Sequence, residues 1–498
     1  HYDVLTVLYF DIVSSSSMDS SSPPSTLFTE QFRLKLPSDE NIGYVFEPAS
    51  KYLQPLKQFI EENGSRSYPA IVVPKQLTNT ALKRLKPAIF DRPRTLNVYP
   101  VDECQDSRKV LLSGTDALGH PAVKEFLSSH SSDHVSISSH EVPTSYEHYS
   151  VEKVLRMLLP SDIQEIPCAF EVAGHLAHVN LREECLPFRK IIGQVILDKN
   201  QPRLKTVVNK IGNIENEFRT FPMEVIAGES NMEVEVKETG CRFRLNFSQV
   251  YWNSRLQYEH RRLVEKIAGV KKSNGKSKNK QKNQVTQKRK NLSKSSIIVA
   301  DIMCGVGPFA IPLASLHGVQ VHANDLNPES FKYLLINEKL NKCNAEGLLK
   351  TYNMDGRDFI RLLEKDNMMY HHAIMNLPAI AIEFLDVFRG WKPPSTDPTH
   401  MPTIHVHCFV KYVTLEDMEE TALKRCEKAL GCSLNRVRDN VEIHVVRDVS
   451  PKKNMLCISF RLPEEVKDLA RISLSRMQEK DTNDSGCNVQ NPKKPRLD

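Results

Sequence analysis

No C-x-x-C occurs among the eleven cysteines, and even the closest pair, Cys426 and Cys432, lacks zinc-finger spacing. Neither a structural zinc nor a disulfide framework is expected, and the scattered thiols suit a reducing compartment. Long apolar runs are missing as well. Val4 to Phe10 is too short to span a bilayer and has no basic flank, so no membrane role is expected. Residues 1–26 hold no Lys or Arg, which argues against a mitochondrial presequence. Nor is there much excess of either charge, since 67 Lys and Arg face 61 Asp and Glu for a net +6. That near-balance would discourage a nucleic-acid partner, but it is an average. Between Lys266 and Lys294 there are eleven Lys or Arg and no Asp or Glu, which leaves −5 for the remainder.

The 498 residues, 40% hydrophobic, suffice for two to four domains with buried cores. Ser14 to Ser25 is low-complexity, and residues 1–26 read as a disordered leader. Residues 27–160 read as mixed α/β, with strands at Ala70 to Val73 and Lys109 to Leu112 and a helix at Val151 to Leu159. A Ser/His-rich stretch, Ser128 to His140, interrupts them, and no chemistry is visible in this region. Residues 161–265 read as a small β-rich domain, in which Ile191 to Leu197, Thr206 to Val208, Glu224 to Ala227 and Met232 to Val236 fit strands. It closes on a helix from Asn253 to Ile267, whose Leu256, Leu263, Val264 and Ile267 recur near a 3.6 period. Residues 266–296 form a basic, disordered insertion, and residues 463–498 a disordered tail. Between these two, residues 297–462 alternate strand and helix, the mark of a mainly parallel sheet with crossovers. Val441 to Val446 and Met455 to Phe460 fit a terminal hairpin.

Chemistry concentrates at the strand ends of that last region. Asp301-Ile302-Met303-Cys304-Gly305-Val306-Gly307 is a strand, a glycine turn and a helix start, at the sheet end where open α/β folds bind ligands. The third glycine of a dinucleotide fingerprint is absent, which disfavours NAD. Asp325, after the next strand, fits either a ribose diol or a helix N-terminus. Asp355-Gly356 fits either an adenine contact or an ordinary acidic turn. Asn376-Leu377-Pro378 is a rigid turn able to aim the Asn376 amide at a planar substrate edge. In this order the four describe a methyltransferase that uses a nucleoside cofactor.

These motifs, with Val250-Tyr251-Trp252-Asn253-Ser254-Arg255-Leu256-Gln257-Tyr258-Glu259-His260 and Phe218-Arg219-Thr220, resemble the eukaryotic and archaeal tRNA (guanine-37, N1)-methyltransferase family. The resemblance covers about Phe170 to Leu462. It implies a class I, Rossmann-like α/β methyltransferase domain preceded by smaller α/β and β-rich domains, with S-adenosylmethionine as cofactor. It implies tRNA as partner, with residues 27–160 reading the tRNA body, and a monomer is expected. Glu259 aligns with the family's general base, and partial burial is expected to raise its pKa toward neutrality. From the residues alone, a salt bridge to Arg262 is the competing role. Arg219 aligns with the donor to guanine O6, and Asn376 and Pro378 with the residues that hold the guanine edge and the methyl donor. Tyr251 either stacks on the base or belongs to the core. His260, Asp325, Leu326, Asp355, Gly356 and Asn376 are implied to line the cofactor pocket with Asp301, Gly305 and Gly307. His260 departs from the archaeal Arg. Nucleus and cytoplasm are the expected compartments, with Pro492 to Arg496 resembling a nuclear signal, and the mitochondrial matrix the weakest of the family's three.

Two alternatives remain at this level: aminocarboxypropyl transfer, as in wybutosine synthesis, which Pro378 disfavours, and a non-catalytic tRNA-binding protein. The basic run has no aromatics, so it can neutralise phosphates without reading bases. Its deletion is expected to weaken tRNA binding and flatten the salt dependence, with methyl-donor affinity unchanged. An unchanged slope of log affinity against log salt would mark it as a mere linker.

Overall fold

The computed structural model describes residues 33–34 and 48–471, except 64, 93–94, 103, 131–134, 144, 213–219, 271–295, 344–346 and 398. The chain folds as two compact units. One comprises the residues up to Ile211 with Met223–Asn231, and the other Gly212–Pro222 and the residues from Met232 onward.

In the first unit, α1 (Ser50–Asn63) precedes β1 (Arg66–Pro74), α2 (Thr78–Arg84), β2 (Val98–Val101), β3 (Cys104–Leu111), α3 (Pro121–Ser129), β4 (Ser136–Val142) and α4 (Val151–Leu158). The strands pair antiparallel in the order β2-β3-β1-β4. The Ser/His-rich stretch thus contains a strand. Because β4 is an edge whose residues mostly face water, it lacks the apolar alternation that announces a half-buried strand. A second sheet follows, from β5 (Glu171–Ala173), β6 (Leu176–Val179), β7 (Thr206–Lys210) and β8 (Met223–Gly228), in chain order. The segment Ile191 to Leu197, expected as a strand, is the middle of α5 (Arg189–Asn200), the crossover between parallel β6 and β7. The helix is buried almost all round, so its apolar run shows no 3.6 period and imitates a buried strand.

The expected domain ends at 160 and 265 are not where the units part. α1 and α4 share one core with α5 and β6–β7 through Leu53, Leu56, Leu155, Leu158, Ile192 and Val195. The hairpin β9 (Glu233–Glu238) and β10 (Cys241–Asn246), with α6 (Gln257–Ile267), belongs to the second unit. Thr239 and Gly240 both take positive φ, as a two-residue hairpin turn requires.

The second unit continues with β11 (Ile298–Asp301), α7 (Ala310–His317), β12 (Gln320–Asn324), α8 (Pro328–Leu340), β13 (Leu349–Tyr352), α9 (Gly356–Lys365), β14 (His372–Met375), β15 (Thr403–Lys411), α10 (Leu415–Leu430), β16 (Glu442–Ser450) and β17 (Lys453–Arg461). One seven-stranded sheet results, in the order β13-β12-β11-β14-β15-β17-β16. The first five strands are parallel, and β17 and β16 are antiparallel additions. Val299, Ala300, Ala373 and Ile374 are fully buried, as strands with both faces covered must be. The carboxyl ends of β11, β12, β13 and β14 bring Asp301, Asp325, Asp355 and Asn376 to one rim of the sheet. The tail expected to begin at 463 is at first packed: Val466 is buried in this core, and its carbonyl accepts from the Gly390 amide.

Amides on α8 join the hairpin to the sheet. Asn337 accepts from the Arg244 amide at 2.7 Å and donates to the Arg244 and Val306 carbonyls at 3.1 Å. One turn on, Asn341 repeats the exchange with Arg242. Residues four apart on a helix thereby pair with residues two apart on a strand, whose free edge they occupy. Asn337→Ala strands these buried backbone groups and is expected to cost about 1–3 kcal/mol, read as a lower urea midpoint for the full chain.

Candidate active site

The glycine turn after β11 is held from two sides. Asp325 accepts from the Gly305 amide at 2.8 Å through Oδ2 and from the Asn327 amide at 3.0 Å through Oδ1. Gly305 has φ +56 and open space where a Cβ would stand, whereas Gly307, at φ +94, is pressed against Ile311 and Leu334. The two glycines therefore answer different needs: Gly305 leaves room beside the turn, and Gly307 lets α7 pack. Asn324, which the sequence reading passed over, is wholly buried. Its side chain donates to the carbonyls of Ile302 and Met354 and accepts from the Met354 amide, tying three strand ends together.

Asp301 is fully buried, and neither of its oxygens completes a hydrogen bond among the described residues. Burial first, then repulsion from Asp325, pushes its pKa from 3.8 up to about 8, despite the opposing pull of His407 and the Ala310 amide. Asn376 likewise has a buried side-chain oxygen without a partner, and the turn behind it is fixed by Phe409 donating to the Pro378 carbonyl. A buried unmatched carboxyl and a buried unmatched acceptor on one rim call for a ligand that brings positive charge and N–H donors. S-adenosylmethionine, with a sulfonium and an ammonium group, fits that need. Leu326 is 40% exposed, with its carbonyl held by Asn353, and offers an apolar contact beside Asp325.

Other expected cofactor residues are engaged within the protein. Asp355 caps α9, accepting from the Arg357 and Asp358 amides, so the turn role foreseen for it is realised. Gly356 starts that helix, with Ile302 and Phe384 close to where a Cβ would be. His260 is buried, pairs through Nδ1 with Glu238 at 2.5 Å, and meets the Phe309 ring edge-on at 4.9 Å. Tyr251 is half exposed on the loop before α6, and the Gln249 carbonyl in that loop accepts from Asn327. Arg219 lies outside the described residues.

Glu259 departs most from expectation. Its carboxylate accepts from Arg262 through both oxygens, at 2.6 and 2.8 Å, and from His407 Nε2 at 2.8 Å. The Arg262 salt bridge weighed against it is therefore present. Burial alone would raise its pKa, as expected, but the hydrogen bonds and charges of Arg262 and His407 outweigh burial and hold it well below the usual carboxylate range. Glu259, His407 and Cys457 present ligand atoms within 4.8 Å of one another, but Arg262 already occupies both carboxylate oxygens, which disfavours a cation there. Of the two partners only Arg262, three residues along the same helix, could be tied to Glu259 in advance.

Because the Asp301 pKa is raised on folding, ionising it opposes folding, and stability is lost as pH climbs from about 4 to about 8. Asp301→Asn is expected to melt higher than wild type at pH 8 and with it at pH 4, while binding the methyl donor more weakly. Thermal denaturation across that range, with calorimetric titration of the donor, checks both.

Residues 276–444 match the TRM5/TYW2 methyltransferase domain, and residues 151–231 the TYW2 N-terminal domain. A tRNA (guanine(37)-N(1))-methyltransferase of Phaeodactylum tricornutum is 46% identical over 86% of this chain and 93% of its own length. One from Danio rerio is 37% identical over 88% and 85%. Among solved structures, Trm5b from Pyrococcus abyssi covers 79% of this chain and 99% of its own at a TM-score of 0.52 and 23% identity. A complex of aTrm5 with tRNALeu gives the same coverage at 0.54 and 20%. These two share the fold, and the glycine turn, the Asp325 clamp and the Asn376 turn all sit within the matched methyltransferase domain. On the strength of the extended sequence identity, the chain belongs to the tRNA (guanine(37)-N1)-methyltransferase family.

Proposed function

We propose that this chain methylates N1 of guanine-37 in tRNA, beside the anticodon, with S-adenosylmethionine as donor. The observation that carries the reading is the unmatched pair on the sheet rim, Asp301 and Asn376, in a chain of this family. Asp301, Gly305, Asp325, Leu326 and Asn376 would hold the donor, which supplies an electrophilic methyl group when bound.

Guanine N1 carries a proton that must leave as the nitrogen becomes nucleophilic, and charge then builds on O6. Glu259 is the proton's first stop, and it is reached when the N1–H replaces one of the donations from Arg262. The cations beside it keep it ionised, so it always has a lone pair to offer, but they also make it a weak holder of the proton. Arg219 supplies the charge opposite O6. Asn376 presents a bare acceptor of the kind that suits the exocyclic amino group of guanine, and Pro378 keeps its turn from relaxing. Tyr251, half exposed just before α6, offers a ring for stacking against an unpaired base.

Aminocarboxypropyl transfer is the second reading, since both domain matches carry the TYW2 name, and Pro378 weighs against it. The test is single-turnover incubation of the full chain with an unmodified transcript and the donor, followed by nucleoside mass analysis. N1-methylguanosine is expected at position 37 and is absent from a transcript with adenosine there. Glu259→Gln is expected to slow transfer by about 10²–10⁴-fold. A product carrying the heavier group, or a wild-type rate in Glu259→Gln, would overturn the respective assignment.

A further inference from the structure

With only 2% of its side chain exposed, Glu259 cannot discharge a proton directly to water. Among the described residues, three basic side chains face its oxygens. Arg262 donates to both oxygens and remains charged at any working pH. His407 is wholly buried and donates to Oε1; burial opposes its charge, but Cys457 and Glu259 prevail and push its pKa up to about 10. Neither accepts a further proton at neutral pH.

His444 differs on each count. Its Nε2 stands 3.7 Å from Glu259 Oε2, and 42% of its side chain is exposed. Burial, then the Arg262 charge, shifts its pKa below the ordinary 6.5, which leaves the imidazole neutral at pH 7. The sheet register explains its position. Cys457 on β17 lies opposite His407 on one side and His444 on the other, so the three side chains form one row across β15, β17 and β16. The inner end of that row meets one Glu259 oxygen and the outer end the other.

We propose that His444 is the outlet for the guanine N1 proton, receiving it from Glu259 and passing it to solvent; the inference rests on the methyl-transfer reading above. N1 bonds to the methyl carbon, whose bond to sulfur breaks with the electron pair left on sulfur, while the N1 proton moves to Glu259 Oε2. In the same step Glu259 passes the proton on to the lone pair on His444 Nε2; His444 then releases Nδ1–H to water, and proton exchange of its exposed ring with solvent returns the tautomer whose Nε2 is free. A shift of about 1 Å brings Nε2 and Oε2 to hydrogen-bond length. A carboxylic acid between two cations is a strong acid, so the second transfer runs downhill. His444 faces Glu259 and Arg262 from α6, His407 from β15, Cys457 from β17, and Glu442 from its own strand, itself paired with Lys266. Only neutral His444 accepts a proton, so the rate should rise with pH through its pKa and then level.

The full chain is assayed in single turnover across about pH 5–9 with a guanine-37 transcript. His444→Gln is expected to slow methyl transfer about tenfold or more and to lose the acid limb of the profile. KM for tRNA and donor affinity should stay unchanged, and added imidazole should restore the rate severalfold. Glu259→Gln should not respond to imidazole. A wild-type rate in His444→Gln, or a loss that keeps the wild-type pH profile and ignores imidazole, overturns the outlet and assigns His444 a structural role. A wild-type rate in Glu259→Gln with normal product would remove the conduit and the outlet together. An absence of N1-methylguanosine from the wild-type reaction instead fails the functional reading itself.

Discussion

A carboxylate removed from water has to be matched by positive charge or keep its proton, and the second unit contains both cases. Glu259 is matched twice, by Arg262 from its own helix and by His407 from the middle of the sheet. That ion cluster ties α6 to β15. Losing one partner of such a cluster typically costs about 3–5 kcal/mol, because the remaining charge is left uncompensated. Asp301 has no counterpart, and stays buried by holding its proton at neutral pH. The fold thus completes its own electrostatics around the helix and leaves them incomplete at the rim, where a cationic ligand is needed.

Amide side chains do the joining between these two regions. From the end of its own strand Asn324 satisfies backbone groups at two others, and Asn337 and Asn341 stand in for a missing strand beside β10. Neutral groups with one acceptor and a donor pair can replace a peptide group without burying charge. They carry the rim and the hairpin without adding charge, which is left to the carboxylates and the cations that face them.

What could be read in advance was local. A strand that ends in Asp, a glycine turn and a helix start are consecutive, so the rim and its order were visible in the residues from Ile297 to Pro378. The helix from Asn253 to Ile267 was visible because its buried face repeats. Where burial is complete on all sides, as in α5, repetition vanishes and a helix passes for a strand. Where it is nearly absent, as in β4, a strand passes for a loop. The pKa of Glu259 was misjudged for another reason. Its burial was foreseeable from the stripe on α6, but His407 is 148 residues away, and nothing local says that a histidine will arrive to reverse the effect of burial. Asp325 and Asp355 each had two readings: Asp355 takes the turn role and caps α9, whereas Asn327 caps α8 and Asp325 instead clamps the glycine turn, a role neither reading named.

That separation along the chain also sets an order in time. During synthesis at about 5–20 residues per second, α6 is finished roughly 7–30 s before His407 is added. Through that interval Arg262, one turn away, is the counter-charge already present on the nascent helix. The i to i+3 pair is therefore the cluster's first half, able to keep Glu259 solvated and ionised until the strands that bury it have been made. Only when β15 has been made does His407 arrive as the second counter-charge, so burial of the carboxylate is the last part of the cluster to be completed.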